Sequence, residues 1–219
     1  MFYAAVSVSA SAGTINFDQR DSGATGGLSY DGNGGALVGK DITFSFVSSP
    51  SNSTVTCSGC LLNFTTGNNI TEGNGTGSSW TFGTGGSFEL TGSVVDGSTT
   101  LASGSLLSGQ FVGNQVFSRA GNKSGAFVGS GSNTVAAGLA QYFGIDPNSE
   151  FMFLTTNFSL GNLTFNGAHG FNGDVDAADL ATTTNVPEPQ ELAMFGLGIA
   201  LLVGGMAFRR KSGGSDLIG

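Results

Sequence analysis

Residues 42–46 read Ile42-Thr43-Phe44-Ser45-Phe46, with a large apolar side chain at every second position and a hydroxyl between each pair. A period of two places Ile42, Phe44 and Phe46 on one face of an extended strand and Thr43 and Ser45 on the other. The same alternation returns in Leu62-Asn63-Phe64-Thr65, Trp80-Thr81-Phe82, Phe88-Glu89-Leu90 and Leu163-Thr164-Phe165, and Phe151-Met152-Phe153-Leu154 adds a further apolar run. Strands with one buried and one wet face belong to antiparallel sheets. Between them lie clusters such as Asp31-Gly32-Asn33-Gly34-Gly35 and Gly73-Asn74-Gly75, residue types that accept the positive φ of tight turns. The pattern predicts a mainly β body, an antiparallel β-sandwich or roll.

Two stretches depart from it. Thr134-Val135-Ala136-Ala137-Gly138-Leu139-Ala140-Gln141-Tyr142-Phe143 predicts one short helix, stopped by Gly144 and Asp146-Pro147, that connects two strands or crosses a sheet edge. Residues 92–109 are rich in Gly and Ser and predict a mobile loop between two halves.

Charged residues make up only 10% of the 219-residue chain, against about 25% in an average soluble domain. The polar surface is therefore built largely from Ser, Thr and Asn. With 39% hydrophobic residues and 18 Phe, the chain has enough apolar area to fold. The formal net charge is −8, and three of the seven basic residues, Arg209, Arg210 and Lys211, sit near the C-terminus. Such a body has no basic face for a phosphate backbone, so nucleic acid is not an expected partner.

The ends read as targeting segments. Residues 1–12 end in Ala10-Ser11-Ala12, small residues where a signal peptidase cuts, with Gly13 as the first mature residue. The basic start and most of the apolar stretch of a signal peptide are missing, so residues 1–12 are expected to be its remnant, behind a start codon placed too late. Residues 13–185 form the exported body. Residues 192–208 are uncharged and 17 long, at the short end for a transmembrane helix that must cross about 30 Å of hydrocarbon. Arg209, Arg210 and Lys211 follow as a membrane stop, which the positive-inside rule places in the cytoplasm together with residues 212–219. Just before the span stands Val186-Pro187-Glu188-Pro189, where two prolines enforce an extended, accessible backbone. Gly196, Ala200 and Gly204 form a small-residue stripe on one face of the span.

This three-part tail, VPEPQELAMFGLGIALLVGGMAFRRK, resembles the PEP-CTERM sorting domain of Gram-negative bacteria that make exopolysaccharide. The resemblance covers residues 185–211, with residues 212–219 as an extra tail. It implies recognition of Val186, Pro187, Glu188 and Pro189 by an exosortase, and passage from an inner-membrane-anchored precursor to the envelope or extracellular matrix. It also implies exopolysaccharide and biofilm as the setting.

Within the body, Cys57-Ser58-Gly59-Cys60 holds the only two cysteines, and in an exported protein such a pair predicts a disulfide, here closing a tight turn before a strand at Leu61. A redox pair would need a helix after it, and the following residues read as strand. His169 is the only histidine, which excludes multi-histidine metal sites, and no Gly-x-Ser-x-Gly elbow is present in strand-turn-helix context, so no catalytic set is assigned. Asp174, Asp176 and Asp179 are weak candidates for calcium, with an acidic solvated linker as the plainer reading; no other metal or cofactor is expected. Sequons at Asn52, Asn63, Asn69, Asn74, Asn122, Asn157 and Asn162 follow from a composition rich in Asn, Ser and Thr.

Three function classes fit these features. The first is a non-catalytic surface or matrix protein. The second is a lectin-like module in which Trp80, Tyr30 or Tyr142 stacks on a sugar, set against a core role for Trp80. The third is an envelope hydrolase with a polar cleft.

Overall fold

The computed structural model describes residues 13–19, 23, 25–50, 52–73, 78–121, 123–167 and 169–184. In chain order the elements are β1 (Thr14–Asp18), β2 (Gly27–Tyr30), β3 (Ala36–Ser49), β4 (Asn52–Thr71), β5 (Ser79–Phe82) and β6 (Gly86–Asp96). They continue with β7 (Thr99–Phe111), β8 (Gln115–Arg119), β9 (Gly125–Val135), α1 (Ala137–Tyr142), β10 (Phe151–Asn166) and β11 (Gly170–Thr184).

All strand pairings are antiparallel, and the ladder closes on itself. At one end the circuit runs β2-β3-β4-β5-β8-β9-β10-β11 and back to β2. At the other it runs β1-β3-β4-β6-β7-β9-β10-β11 and back to β1. Strands β3, β4, β9, β10 and β11 serve both ends, while β1 and β2, β6 and β5, and β7 and β8 share a position in pairs. The expected antiparallel β body with one short helix is therefore present, as a closed barrel in place of two stacked sheets or a roll. Closure gives each described strand ladder partners on both sides along part of its length, while residues 99–105 of β7 pair on one side only, with β6.

The long strands bend where extra residues enter the ladder. Registers slip between Gly39 and Ile42 in β3 and between Gly161 and Thr164 in β10, and there Asp41 and Asn162 take positive φ of 53° and 48°. Bulges of this kind sharpen the local twist and let one strand wrap around the barrel.

The interior is filled by aromatic rings. Phe64 of β4 stacks on Phe127 of β9 at 5.2 Å and on Phe158 of β10 at 5.9 Å, so rings from opposite walls meet in the middle. Nearer one end, Trp80, Phe117 and Phe171 form a second cluster, with Phe117 and Phe171 stacked at 4.1 Å. Each ring so enclosed contributes about 1.5–3 kcal/mol relative to exposure. Room for them comes from glycine on neighbouring strands: Gly39 lies directly opposite Phe64, and Gly109 directly opposite Phe88. A Cβ at Gly109 would come within 2.6 Å of the Phe88 ring. Glycine thus acts inside strands as well as in turns, alternating small with large across the barrel.

Residues 92–109, expected as a mobile loop, form the end of β6 and most of β7, paired from Gly92 with Gly104 to Asp96 with Thr99. Serine and glycine on the wet face of a strand carry the same composition as a loop. The helix is shorter than expected, because Thr134 and Val135 are held in β9 opposite Ser108 and Leu107. It stops as predicted: Gly144 takes φ +72° and its N–H bonds the Gln141 carbonyl. Leu139, Ala140, Phe143 and Ile145 are buried, so α1 connects β9 to β10 while packing beside β7.

The exterior of the barrel is polar. Among the described residues the only large apolar side chains that stand exposed are Val38, Ile70, Val112, Val128 and Met152. The alternation is apolar-in and polar-out, the reverse of a lipid-facing barrel. Among the described residues no helix is long and apolar enough to cross a membrane. The expected span at 192–208, its flanking motif and basic stop, and the expected leader remnant 1–12 lie outside the described residues.

Candidate functional site

An open groove of about 1470 Å³ lies on the outer face of the barrel, crossing β3, β4, β6, β7, β9 and β10. Its floor is set by strand register. Val38, Thr65, Ser87, Gln110, Ser132 and Met152 are consecutive cross-strand partners and form one row across all six strands. Beside it runs a second row, Asn63, Glu89, Ser108 and Thr134. The connection between α1 and β10, including Asn148 and Glu150, supplies one wall.

The second row is partly committed: Asn63 Oδ1 accepts the Asp41 N–H at 3.0 Å, and the Ser108 and Thr134 hydroxyls lie 3.3 Å apart. In the first row, the side chains of Thr65, Ser87, Gln110 and Ser132 make no hydrogen bond within the described residues. They form a line of uncommitted hydroxyl and amide groups. The charged side chains of the groove are Lys40, Glu89 and Glu150. Sequence reasoning identified Asn63, Thr65 and Glu89 as wet-face residues, but not that register aligns them with residues of β7, β9 and β10.

Cys57 and Cys60 are joined in a disulfide, with Cα atoms 5.6 Å apart and both side chains buried. The bridge lies inside β4 and not in a turn ahead of a strand. Between Thr56, which pairs with Phe46, and Cys60, which pairs with Phe44, the chain carries extra residues, with Gly59 at φ +59°. The disulfide pins this bulge within the longest strand.

Asp174, Asp176 and Asp179 lie on the outer face of β11 and not in a loop. Asp174 accepts a hydrogen bond from the Asn162 amide at 3.2 Å, and the Asp176 carboxylate lies against Gly161. Asp179 faces Asp18 of β1, and its carboxyl is raised above the ordinary value by burial, by a hydrogen bond with Asp18 and by the Asp18 charge. Among the described residues, no group of three or more His, Cys, Asp or Glu side chains is placed to hold one metal ion.

Trp80 and Tyr30 are 1% and 2% exposed, which removes both as platforms for a sugar and bears out the core alternative for Trp80. Trp80 Nε1 donates to the His169 carbonyl at 2.9 Å, and Tyr30 OH donates to Glu72 Oε1 at 3.3 Å while accepting the Gly34 N–H at 3.0 Å. His169, in the turn between β10 and β11, sets its ring nitrogens 3.3 Å from the Gly73 carbonyl and 3.4 Å from Glu72 Oε2. These contacts tie three loops across one end of the barrel. Burial, and to a lesser degree Glu72, pushes the Tyr30 hydroxyl above the ordinary phenol value, with the Gly34 bond opposing. Tyr142, the third aromatic considered, donates to Asp96 at 3.0 Å, which raises it likewise.

Comparison of the chain with protein-family models, with curated proteins and with solved structures yields no match.

Proposed function

We propose that the chain is a non-catalytic protein exported to the cell surface or extracellular matrix, where it is a structural component of an exopolysaccharide layer. It is delivered by an exosortase that reads Val186, Pro187, Glu188 and Pro189. The observation that carries this reading is the ordered tail: the Pro-Glu-Pro motif, the uncharged stretch 192–208 and Arg209-Arg210-Lys211, in that order within one segment. The body is compatible with the destination. Its two cysteines are bonded, as they persist in an oxidising compartment. Its hydroxyl and amide exterior exchanges hydrogen bonds with water and sugars alike.

The test is expression in the native host of the unchanged chain and of the variant Pro187→Ala/Glu188→Ala/Pro189→Ala, followed by fractionation and C-terminal mass determination. Loss of residues beyond the motif and release to the matrix, in the unchanged chain only, is the expected result. Retention of the intact tail in the inner membrane by both chains would refute delivery by this route.

A further inference from the structure

We propose that the outer-face groove binds an extended, uncharged, polyhydroxylated polymer, a linear stretch of neutral glycan, lying along the row from Val38 to Met152. This assigns a ligand class to the body and deepens the matrix reading above, but it rests on the groove and not on the tail.

Three features select this occupant. The row crosses five strand spacings, about 24 Å at about 4.8 Å each, a length that suits several units of a chain and exceeds any single small molecule's need. Along it Thr65, Ser87, Gln110 and Ser132 offer donors and acceptors that the described residues leave unused. These are neutral groups that match hydroxyls, and the apolar Val38 and Met152 at the two ends match the C–H faces of sugar rings. Finally, Glu89 and Glu150 outnumber Lys40 on a chain of net charge −8, which disfavours an acidic polymer.

A protein partner fits less well. The groove floor is the face of a closed sheet, so a strand cannot add to it through backbone hydrogen bonds. No exposed aromatic side chain stands among the groove residues to anchor a protein interface. With hydrogen bonds as the main attraction, each sugar unit contributes little and binding depends on chain length.

The experiment is affinity electrophoresis of the purified full-length chain in detergent, in gels containing hydroxyethyl cellulose, galactomannan, dextran or, as the acidic control, polygalacturonate. Retardation is expected in at least one neutral gel and not in polygalacturonate, with no competition by the corresponding monosaccharides. The variant Ser87→Ala/Gln110→Ala/Ser132→Ala changes only exposed side chains, so it should fold as judged by circular dichroism yet bind roughly tenfold more weakly or worse. No retardation by any neutral polymer, equal retardation of the variant, or preference for polygalacturonate would each overturn the proposal. The assay contains no exosortase, so its outcome is independent of whether the tail is a sorting signal.

Discussion

Asp179 of β11 sits directly opposite Asp18 of β1, two carboxylates placed as partners in one rung of the ladder that closes the barrel. Like charges so placed repel, and the repulsion is relieved when one of them keeps a proton. Burial, then the hydrogen bond and charge of Asp18, raise the Asp179 carboxyl above its ordinary 3.8.

A raised carboxyl pKa means that the folded state holds its proton more tightly than the unfolded chain does. The favourable contribution is complete below the ordinary Asp value and is lost as pH rises through the raised one. At neutral pH the pair therefore opposes folding. Asp179→Asn is expected to raise the melting temperature at pH 7, and its advantage should shrink toward zero as pH falls to about 3. Asp18→Asn should act in the same direction, since it removes the charge that Asp179 meets. Thermal scans across that range check both; a variant no more stable at pH 7, or equally improved at every pH, contradicts the account.

Gly109 and Phe88 illustrate how the core uses glycine. A methyl group at Gly109 would meet both the Phe88 ring and the backbone carbonyl of Ser132. The ring can turn, but the carbonyl belongs to the ladder and cannot. Gly109→Ala is expected to cost about 1–3 kcal/mol by overpacking, whereas Ser105→Ala, on an exposed position of the same strand, should stay within about 0.5 kcal/mol. Adding Phe88→Leu to Gly109→Ala should recover part of the loss expected from the two changes summed, because one obstacle has gone. Denaturant titration read by Trp80, the only tryptophan and fully enclosed, measures the unchanged chain, the three single variants and the double variant.

Alternation made the strands around Phe44, Phe64, Trp80 and Phe88 legible, because period two needs only neighbours in sequence. The helix stop at Gly144 was legible for the same reason. What was hidden depends on register. The turn between Phe44 and Leu62 could be read as punctuation because Gly59 and the two cysteines look alike in a turn and in a bulge, and only pairing with Phe46 and Phe44 distinguishes them. Residues 92–109 looked like a loop because Ser and Gly suit a wet strand face as well as a coil. Asp179 was read with Asp174 and Asp176, its neighbours in sequence, while its partner is Asp18 at the far end of the body. The groove is an extreme instance: each of its polar side chains is unremarkable alone, and the row exists only once six strands are in register. The tail was read from its motif order alone and lies outside the described residues.

The Cys57–Cys60 bridge is a further point at which sequence and structure can be tested together. It encloses a very short loop, so in the chain-entropy account it restrains the unfolded state by only about 2 kcal/mol. Its site matters more than its span: both sulfurs are buried and the bridge holds the bulge that bends β4 between β3 and β6. Releasing it should therefore loosen this bend before the rest of the barrel. Hydrogen exchange under reducing conditions is expected to show faster exchange confined to β4 and the residues facing it, Phe44 to Val47 and Thr91 to Val95, together with a lower melting temperature. Reduction that leaves exchange in β4 unchanged would show that Gly59 and the flanking ladder hold the bulge without help, and that the bridge serves only to restrain the unfolded chain.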